Sequence, residues 1–278
     1  MKVVFIGSLA HSGSTLLDLM LNAHPEVTSV GELKQLGRFA HPAGDKFNKS
    51  CTCGAPRLWD CVFWERVNAF IHDATGQTLA DLNVDNYGDV KTFRADNALL
   101  FKAIAATAGT PVVVDSSKNW RRLSLLIDNP DMDVLPIFLL RDPKGQVCSS
   151  LRKKNGGLAA LIKDYVVTNV RLHAVIANRR HAIVRYEQLV GQPEATLSSL
   201  MQAMGLSFDS LQLDWSIHRR HNVGGNRMRR RDHSVLKLDE RWRQSLTLAQ
   251  RLAIDIGTLP GRFPIVKFGS RIVRASWR

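Results

Sequence analysis

Residues 2–23 of the chain read KVVFIGSLAHSGSTLLDLMLNA. Residues 2–7 form a short, largely apolar run rich in β-branched side chains, which predicts a buried strand. Residues 8–15 are mostly small or polar and residues 16–23 are strong helix formers, so a loop and then a helix follow the strand. This arrangement directs backbone N–H groups and the positive end of a helix toward one position. The stretch therefore predicts an anion-binding loop.

The composition limits the partners of this loop. The 278 residues include 38 Lys and Arg against 25 Asp and Glu, a net charge of +13. This excess favours a polyanionic ligand, a nucleic acid or an acidic membrane surface, with a basic surface of no dedicated role as the alternative. Four cysteines are too few for a disulfide scaffold. Neither a signal peptide nor an apolar run near the ~18 residues of a membrane span is evident, so we expect a cytoplasmic protein.

Strands and helices alternate along the chain. Further strands are predicted at residues 27–30, 111–115, 134–140 and 182–186, and helices at 61–74, 90–108, from about 120, 143–154, 158–179, 193–204 and 239–256. Strands separated by helices favour an α/β fold of the P-loop type, with a parallel sheet and helices on both faces. Pro136 is unusual inside a central strand and suggests a bulge or the first residues of the strand.

We expect a single domain over residues 1–278 with two additions. Residues 36–105 are interpreted as a largely helical and irregular insertion on the acceptor side, and residues 261–278 as a basic tail. Loops at the carboxyl ends of parallel strands collect the ligand in such sheets. The loops predicted at this edge are residues 8–15, 31–32, 115–118 and 141–149.

The first loop lacks the residues that bind a nucleoside triphosphate. A triphosphatase loop reads G-x-x-x-x-G-K-[ST], in which the Lys contacts the phosphates and the hydroxyl binds Mg²⁺. Here five residues separate Gly7 from Gly13, and Ser14 stands in the position before Thr15 that the Lys would occupy. The dinucleotide pattern G-x-G-x-x-G is absent as well. The loop is suited to phosphate but lacks the triphosphate and magnesium ligands.

Several motifs occur in the order found in one enzyme family. Residues 12–17 (SGSTLL) resemble the 5′-phosphosulfate loop of sulfotransferases that use 3′-phosphoadenosine 5′-phosphosulfate (PAPS). A strand ending in Arg141, with Ser149 eight residues later, is similar to the element that holds the 3′-phosphate in that family. Residues 7–32 are similar to the tyrosylprotein sulfotransferases and their bacterial relatives. Three further segments resemble those bacterial relatives: residues 51–64, 185–187 and 221–229. The resemblance spans residues 3–245.

The resemblance implies which residues bind PAPS. The backbone amides of the loop would cradle the sulfate and the 5′-phosphate, and hydroxyls at its end would add donors, a role compatible with helix capping. Arg141 offers a planar fork for the oxygens of the 3′-phosphate, with a salt bridge to Asp142 as the alternative. The candidate donor-binding residues are Ser12, Gly13, Ser14, Thr15, Arg141, Ser149, Gly225, Asn226 and Arg229.

The last of these residues belong to a segment that the resemblance places over the adenine and the 3′-phosphate. It extends from His221 to Arg231, and its Gly-Gly-Asn turn lets the backbone approach a ligand. A basic loop that binds nucleic acid is the competing interpretation. The candidate cations of the segment are Arg227, Arg229, Arg230 and Arg231.

Three residues are candidates for catalysis. The resemblance makes Glu32 the general base for the acceptor hydroxyl, and bound PAPS would raise its pKa; a helix cap or a surface carboxylate is the alternative. Lys118 would neutralise the leaving phosphate, or else be a solvated residue at a helix start. His11 stands where relatives usually carry Arg; it would donate to a sulfonate oxygen or protonate the leaving group, or else be an ordinary loop residue.

Three cysteines lie close together in the insertion. Cys51, Cys53 and Cys61 would need a fourth ligand such as His41 or His72 to hold zinc, and neither histidine is convincingly spaced. A disulfide and plain packing are the other possibilities, and packing is favoured. No metal is therefore expected.

The chemistry of sulfuryl transfer suits these residues. It is an in-line displacement in which charge grows on the leaving oxygen, so positioning and electrostatics dominate. We predict a PAPS-dependent sulfotransferase that acts on the hydroxyl of a small molecule, a lipid or a glycan without a metal ion. A P-loop kinase and a non-enzymatic nucleic-acid-binding protein are the alternatives. No nucleic acid is expected as a partner, and the basic tail would contact acidic lipid only weakly.

Overall fold

The protein is described by a computed structural model over residues 1–217, 220–230 and 235–266. Of the features singled out in the sequence, Arg231 and most of the basic tail lie outside these ranges. Within the described ranges, no helix has both the length and the apolar composition that crossing a bilayer requires. The cytoplasmic location and the single-domain organisation stay predictions.

Strands and helices alternate as the sequence predicts. The strands are β1 (Lys2–Ser8), β2 (Val27–Ser29), β3 (Val112–Lys118), β4 (Asp133–Leu140) and β5 (Ala182–Arg185). The helices are α1 (Ser14–Asn22), α2 (Leu36–Ala40), α3 (Val62–Thr75), α4 (Val90–Ala108), α5 (Trp120–Leu126), α6 (Pro143–Arg152), α7 (Leu158–Ile176), α8 (Tyr186–Gly191), α9 (Pro193–Ala203), α10 (Trp242–Ser245), α11 (Leu248–Gly257) and α12 (Leu259–Val266).

The strands form a parallel sheet in the order β2-β3-β1-β4-β5. β2 runs parallel to β3 with Thr28 opposite Val113, and β4 runs parallel to β5 with Phe138 opposite Ile183. The predicted α/β fold is thereby confirmed. Pro136 is the fourth residue of β4 but precedes Ile137, where the pairing with β5 begins; its missing N–H therefore costs no hydrogen bond to that strand.

Most predicted boundaries agree with the structure to within three residues, and two differences concern β3 and residues 239–256. β3 continues to Lys118, three residues beyond the predicted end of the strand. The single helix predicted over residues 239–256 is wrong, because α10 ends at Ser245 and α11 begins after Thr247. Thr247 accepts from the backbone N–H of Gln250 and forms a capping box with it, so this residue starts a new helix.

The chain divides into two compact units. The first comprises Met1–Ile6, Thr15–Leu135 and Asp209–Ser234, and the second comprises Gly7–Ser14, Pro136–Phe208 and Val235–Arg278. In the second unit, α6, α7 and α11 bury a small apolar cluster that includes Val147, Leu161 and Ile254. Each unit carries a part of the predicted anion-binding stretch.

In the first unit, α1 is buried almost all round. Its apolar residues from Leu16 to Leu21 are at most 4% exposed, which is the pattern of a core helix rather than of an amphipathic surface helix. Asp18 is buried among them. A carboxylate in such a position must be hydrogen-bonded or neutral.

A charge pair is fully buried in the first unit. Nε of Arg122 donates to Oδ2 of Asp115 at 2.7 Å, and neither side chain is exposed. The guanidinium also donates to the side-chain oxygen of Asn97 at 2.6 Å, and the hydroxyl of Ser117 donates to the second Asp115 oxygen. Asp115 is thus occupied by protein partners.

Replacing Arg122 should strongly destabilise the protein. Arg122→Met leaves Asp115 buried without its cation, which costs about 3–5 kcal/mol of the free energy of unfolding. Urea denaturation measures this loss. Arg121→Met is the matched control, because Arg121 is exposed and its replacement should change stability by less than about 0.5 kcal/mol. Equal losses in the two variants would contradict the role given to the buried pair.

Candidate active site

In the first unit, Glu32 follows β2 with its side chain buried. Its backbone N–H donates to the carbonyl of Val223 at 2.7 Å. Gly31 has a φ of +83°, and a Cβ there would lie 2.5 Å from the same carbonyl oxygen, so only glycine fits. Glu32 precedes a 3₁₀ turn at Leu33–Gln35 without a side-chain capping bond. Its side chain therefore does not cap this turn, and at 8% exposure it is not a surface carboxylate.

Lys118 forms an ion pair with Glu32. Its Nζ donates to Oε1 of Glu32, and Nζ of Lys34 lies 3.9 Å from Oε2. Lys118 has a φ of +67°, which costs a non-glycine residue about 1–3 kcal/mol and is found mainly at functional sites. The structure therefore brings together two of the three candidate catalytic residues.

These surroundings set the protonation state of Glu32. Burial by itself raises the pKa of the carboxyl, but the charge and the hydrogen bond of Lys118 outweigh burial, and Lys34 acts in the same direction. The pKa of Glu32 is thereby held below its usual 4.5, so the carboxylate is ionised at neutral pH. The sequence analysis predicts a raised pKa of Glu32 only for the complex with PAPS. In the free protein the shift has the opposite sign, because Lys118 supplies a cation within hydrogen-bonding distance.

Residues of the 220–230 segment lie beside the candidate base. The backbone N–H of Asn226 donates to Oγ1 of Thr15 at 3.4 Å, and a Cβ on Gly225 would lie 4.0 Å from the same oxygen. Arg229 donates to the carbonyl of Gly224. A Cβ on Gly224 would lie 3.0 Å from the Cβ of Glu32, the candidate base. Four predicted donor-binding residues therefore share one region of the first unit.

The neighbouring arginine of this segment is used differently. Arg230 donates to the carbonyl and the hydroxyl of Ser50, both at 2.9 Å. It therefore binds the insertion, whereas Arg229 binds the backbone beside the candidate base.

Asp18 is the residue of this region that sequence reasoning missed. Its carboxylate accepts from the hydroxyl of Ser29, from Nδ2 of Asn222 at 2.9 Å and from Ser116. Burial raises the pKa of Asp18 to about 6, against the effect of these hydrogen bonds. The carboxylate thus ties α1 to the ends of β2 and β3 and to the 220–230 segment. One acid within the apolar run LLDLML was the available signal in the sequence.

In the second unit, Arg141 fixes the backbone of the predicted anion-binding loop. Its Nη1 donates to the carbonyl of His11 at 2.7 Å, and its guanidinium lies over the ring of Tyr186 at 4.6 Å. Its carboxylate partner is Asp239, at 3.1 Å. The alternative of a salt bridge to Asp142 does not hold, because Asp142 caps α6 by accepting from the backbone N–H of Lys144.

Gly13 packs directly on the same tyrosine. It has a φ of +95°, and a Cβ there would lie 2.5 Å from Cδ2 of Tyr186. Nε2 of Gln146 donates to the carbonyl of Ala10 at 2.9 Å. The loop backbone is therefore fixed at three points, by Arg141, Gln146 and Tyr186.

The other predicted loop residues take varied positions. Ser12 and Ser14 are buried, and Ser14 is the first residue of α1. His11 has a φ of +67°, and its Nε2 lies 3.0 Å from Nδ2 of Asn155. Ser149 is half-buried on α6, two turns beyond Arg141. The roles of these residues stay predictions.

The cysteines of the insertion find a partner that the sequence did not suggest. Cys51, Cys53 and Cys61 gather around His221, 160 residues beyond Cys61 in the chain. This group, drawn from the described residues, includes neither His41 nor His72. Because the two parts of the chain are so far apart, spacing within the insertion could not reveal the fourth residue.

Comparison with known proteins identifies the family of the chain. The sequence matches the Sulfotransferase family over residues 3–210. A search among curated proteins finds no significant match.

Solved structures with the same fold cover nearly the whole chain. The sulfotransferase domain of the Synechococcus PCC 7002 olefin synthase aligns with a TM-score of 0.65 at 20% identity, covering 96% of this chain and 94% of that domain. The sulfotransferase domain of the curacin biosynthetic pathway aligns with a TM-score of 0.56 at 16% identity, covering 92% and 97%. At these identities the likeness shows the fold, and the family match carries the assignment. The chain belongs to the sulfotransferase family.

Proposed function

We propose that the protein transfers the sulfuryl group of PAPS to the hydroxyl of an acceptor. The observation that carries this proposal is the pair formed by the buried Glu32 and the partly buried Lys118, an ionised carboxylate and a cation in contact. Thr15, at the start of α1, is bonded to the segment that packs against Glu32. Membership of the sulfotransferase family supports the reaction class.

The pair supplies both charges that the reaction needs. As the acceptor oxygen attacks sulfur, its proton passes to Glu32, and negative charge appears on the bridging oxygen of the departing phosphate. Lys118 then pairs with that phosphate instead of with Glu32, which leaves the Glu32 carboxylate free to accept the proton. Pairing before the reaction keeps Glu32 ionised despite its burial.

The remaining candidates bind the donor. The loop from Ser12 to Thr15 and the N-terminus of α1 would hold the 5′-phosphosulfate, since backbone N–H groups at a helix start favour anions. Arg141 and Ser149 would hold the 3′-phosphate, and Gly225, Asn226 and Arg229 would close over the nucleotide. Binding requires Arg141 to share its guanidinium between Asp239 and the phosphate.

The acceptor is proposed only as a class. A small molecule, a lipid or a glycan with a hydroxyl meets the requirement for a proton that Glu32 can remove. A phosphotransferase is less well supported, because the loop has Ser14 where a Lys would contact the phosphates.

Gly13→Ala should weaken donor binding. The new Cβ would collide with the Tyr186 ring and occupy a φ of +95°, so we expect affinity for adenosine 3′,5′-bisphosphate to fall by about tenfold or more. Isothermal titration calorimetry measures it. Gly76→Ala is the control, since Gly76 has a φ of +73° with nothing within 4 Å. Unchanged affinity in Gly13→Ala would argue against the loop as the donor site.

Glu32→Gln should separate binding from catalysis. The variant should bind adenosine 3′,5′-bisphosphate as the parent protein does, without Mg²⁺, while transfer from labelled PAPS to a panel of hydroxyl acceptors falls about 10²–10⁴-fold. Glu26→Gln is the control, because Glu26 is exposed. Full turnover in Glu32→Gln would remove this residue from the mechanism, and binding of Mg·ATP alone would overturn the proposed reaction.

Lys118→Met should move the pH dependence of the reaction. Without this cation, only the weaker effects of Lys34 and Gln35 oppose the rise in the pKa of Glu32 that burial causes, so the acidic limb of the kcat/KM profile should shift to higher pH. Lys34→Met should shift it less, because Lys34 lies at 3.9 Å. An unchanged acidic limb in Lys118→Met would show that Glu32 is not the group that titrates.

A further inference from the structure

Three cysteines and one histidine form a compact cluster in the first unit. The ligand atoms of Cys51, Cys53, Cys61 and His221 all lie within 4.8 Å of one another. Sγ of Cys53 lies 3.5 Å from Sγ of Cys61, and Nδ1 of His221 lies 3.1 Å from that same sulfur. A tetrahedral zinc ion, with bonds of about 2.3 Å to sulfur and about 2.0 Å to nitrogen, spaces its ligands about 3.5–3.8 Å apart. The cluster is close to that spacing.

The local backbone presents the three cysteines together. Cys51 donates its N–H to Ala55 at 2.9 Å and accepts at 3.2 Å from the N–H of Gly54, whose φ is +100°. This tight turn returns the chain on itself, so that Cys51 and Cys53 stand side by side. Cys61 is the N-cap residue of α3, where the positive end of a helix favours a thiolate.

His221 is fixed from both sides by neighbours that are not ligands. Its ring stacks on Phe63 with centroids 4.7 Å apart, and its carbonyl accepts from Nε1 of Trp64 at 2.9 Å. Thr52 lies between Cys51 and Cys53 in the chain. Its hydroxyl donates to the carbonyl of Arg220 at 2.8 Å and accepts from the backbone N–H of Asn222 at 2.8 Å. Partners of this kind orient metal ligands in proteins.

A disulfide and simple packing explain the cluster less well. All four cysteines of the chain are free thiols, and a disulfide would require the sulfur atoms to approach to about 2.05 Å. It would also leave the third cysteine and His221 without a role. Packing does not explain Cys53, which is exposed.

We propose that Cys51, Cys53, Cys61 and His221 bind one Zn²⁺ ion in a structural site. Three thiolates and one imidazole are a common donor set for structural zinc, and four protein ligands leave no open position for a substrate. Binding releases the thiol protons to solvent and forms three Zn–S bonds and one Zn–N bond. This proposal differs from the expectation that the chain holds no metal, and it places a structural ion outside the reaction.

Such an ion would also stabilise the region around the candidate base. It would link the insertion to residues 220–222, and Asn222 bonds to Asp18 while Val223 accepts from the backbone N–H of Glu32. The zinc proposal depends on these residues alone and stands whether or not the chain transfers a sulfuryl group.

Metal analysis of the protein tests the proposal. Untagged protein, purified without chelator, should contain about one zinc per chain by inductively coupled plasma mass spectrometry. Cys53→Ser should lose the metal, and its exposed position makes misfolding from lost packing small. Cys148→Ala should keep it, since Cys148 lies in the second unit. In the same way, His221→Asn should lose the metal and His72→Asn should keep it.

A second measurement separates metal loss from misfolding. Chelation should lower the Tm of the parent protein and added Zn²⁺ should restore it, whereas the Tm of Cys53→Ser should not respond to either. Replacement by Co²⁺ should give the thiolate-to-metal absorption of a tetrahedral site in the parent protein alone. A folded parent protein that contains no zinc and takes up neither Zn²⁺ nor Co²⁺ would overturn the proposal, as would a Cys53–Cys61 disulfide in the purified protein.

Discussion

The region around Glu32 depends on one ion pair, between the buried Glu32 and the partly buried Lys118. Removing two charges from water costs several kcal/mol for each ion, and the cost is recovered only through close mutual contact and further hydrogen bonds. Lys118 meets this condition at the expense of a strained backbone, with a φ of +67°. Because the lysine opposes the effect of burial, the pKa of the Glu32 carboxyl stays below its usual value and the carboxylate is ionised at neutral pH.

The carboxylate is held in place by backbone contacts from a distant part of the chain. The carbonyl of Val223 accepts from the backbone N–H of Glu32, and the surroundings of Gly31 and Gly224 leave no space for a Cβ. Asp18 adds a buried carboxylate that binds Ser29 and Asn222. The glycines let these segments approach closely, and the buried acid joins them by hydrogen bonds.

The second unit uses a cation for a similar purpose. Arg141 donates to the carbonyl of His11, lies over Tyr186 and pairs with Asp239, so the loop has a fixed shape without a ligand. Such preorganisation favours anion binding, because less conformational entropy is lost when the ligand arrives. His11 has a φ of +67° and contributes to this arrangement through its backbone carbonyl.

Local sequence was sufficient for the alternation of strands and helices, the parallel sheet, the loop before α1 and the family resemblance. These features follow from apolar periodicity, turn residues and short motifs, which act over a few residues. Only the tertiary structure decided that Lys118 faces Glu32, that Asp239 rather than Asp142 pairs with Arg141, and that His221 completes the cysteine cluster. Those contacts join residues 86, 98 and 160 positions apart. Their partners are selected by burial and by the geometry of packing, which spacing in one sequence does not record.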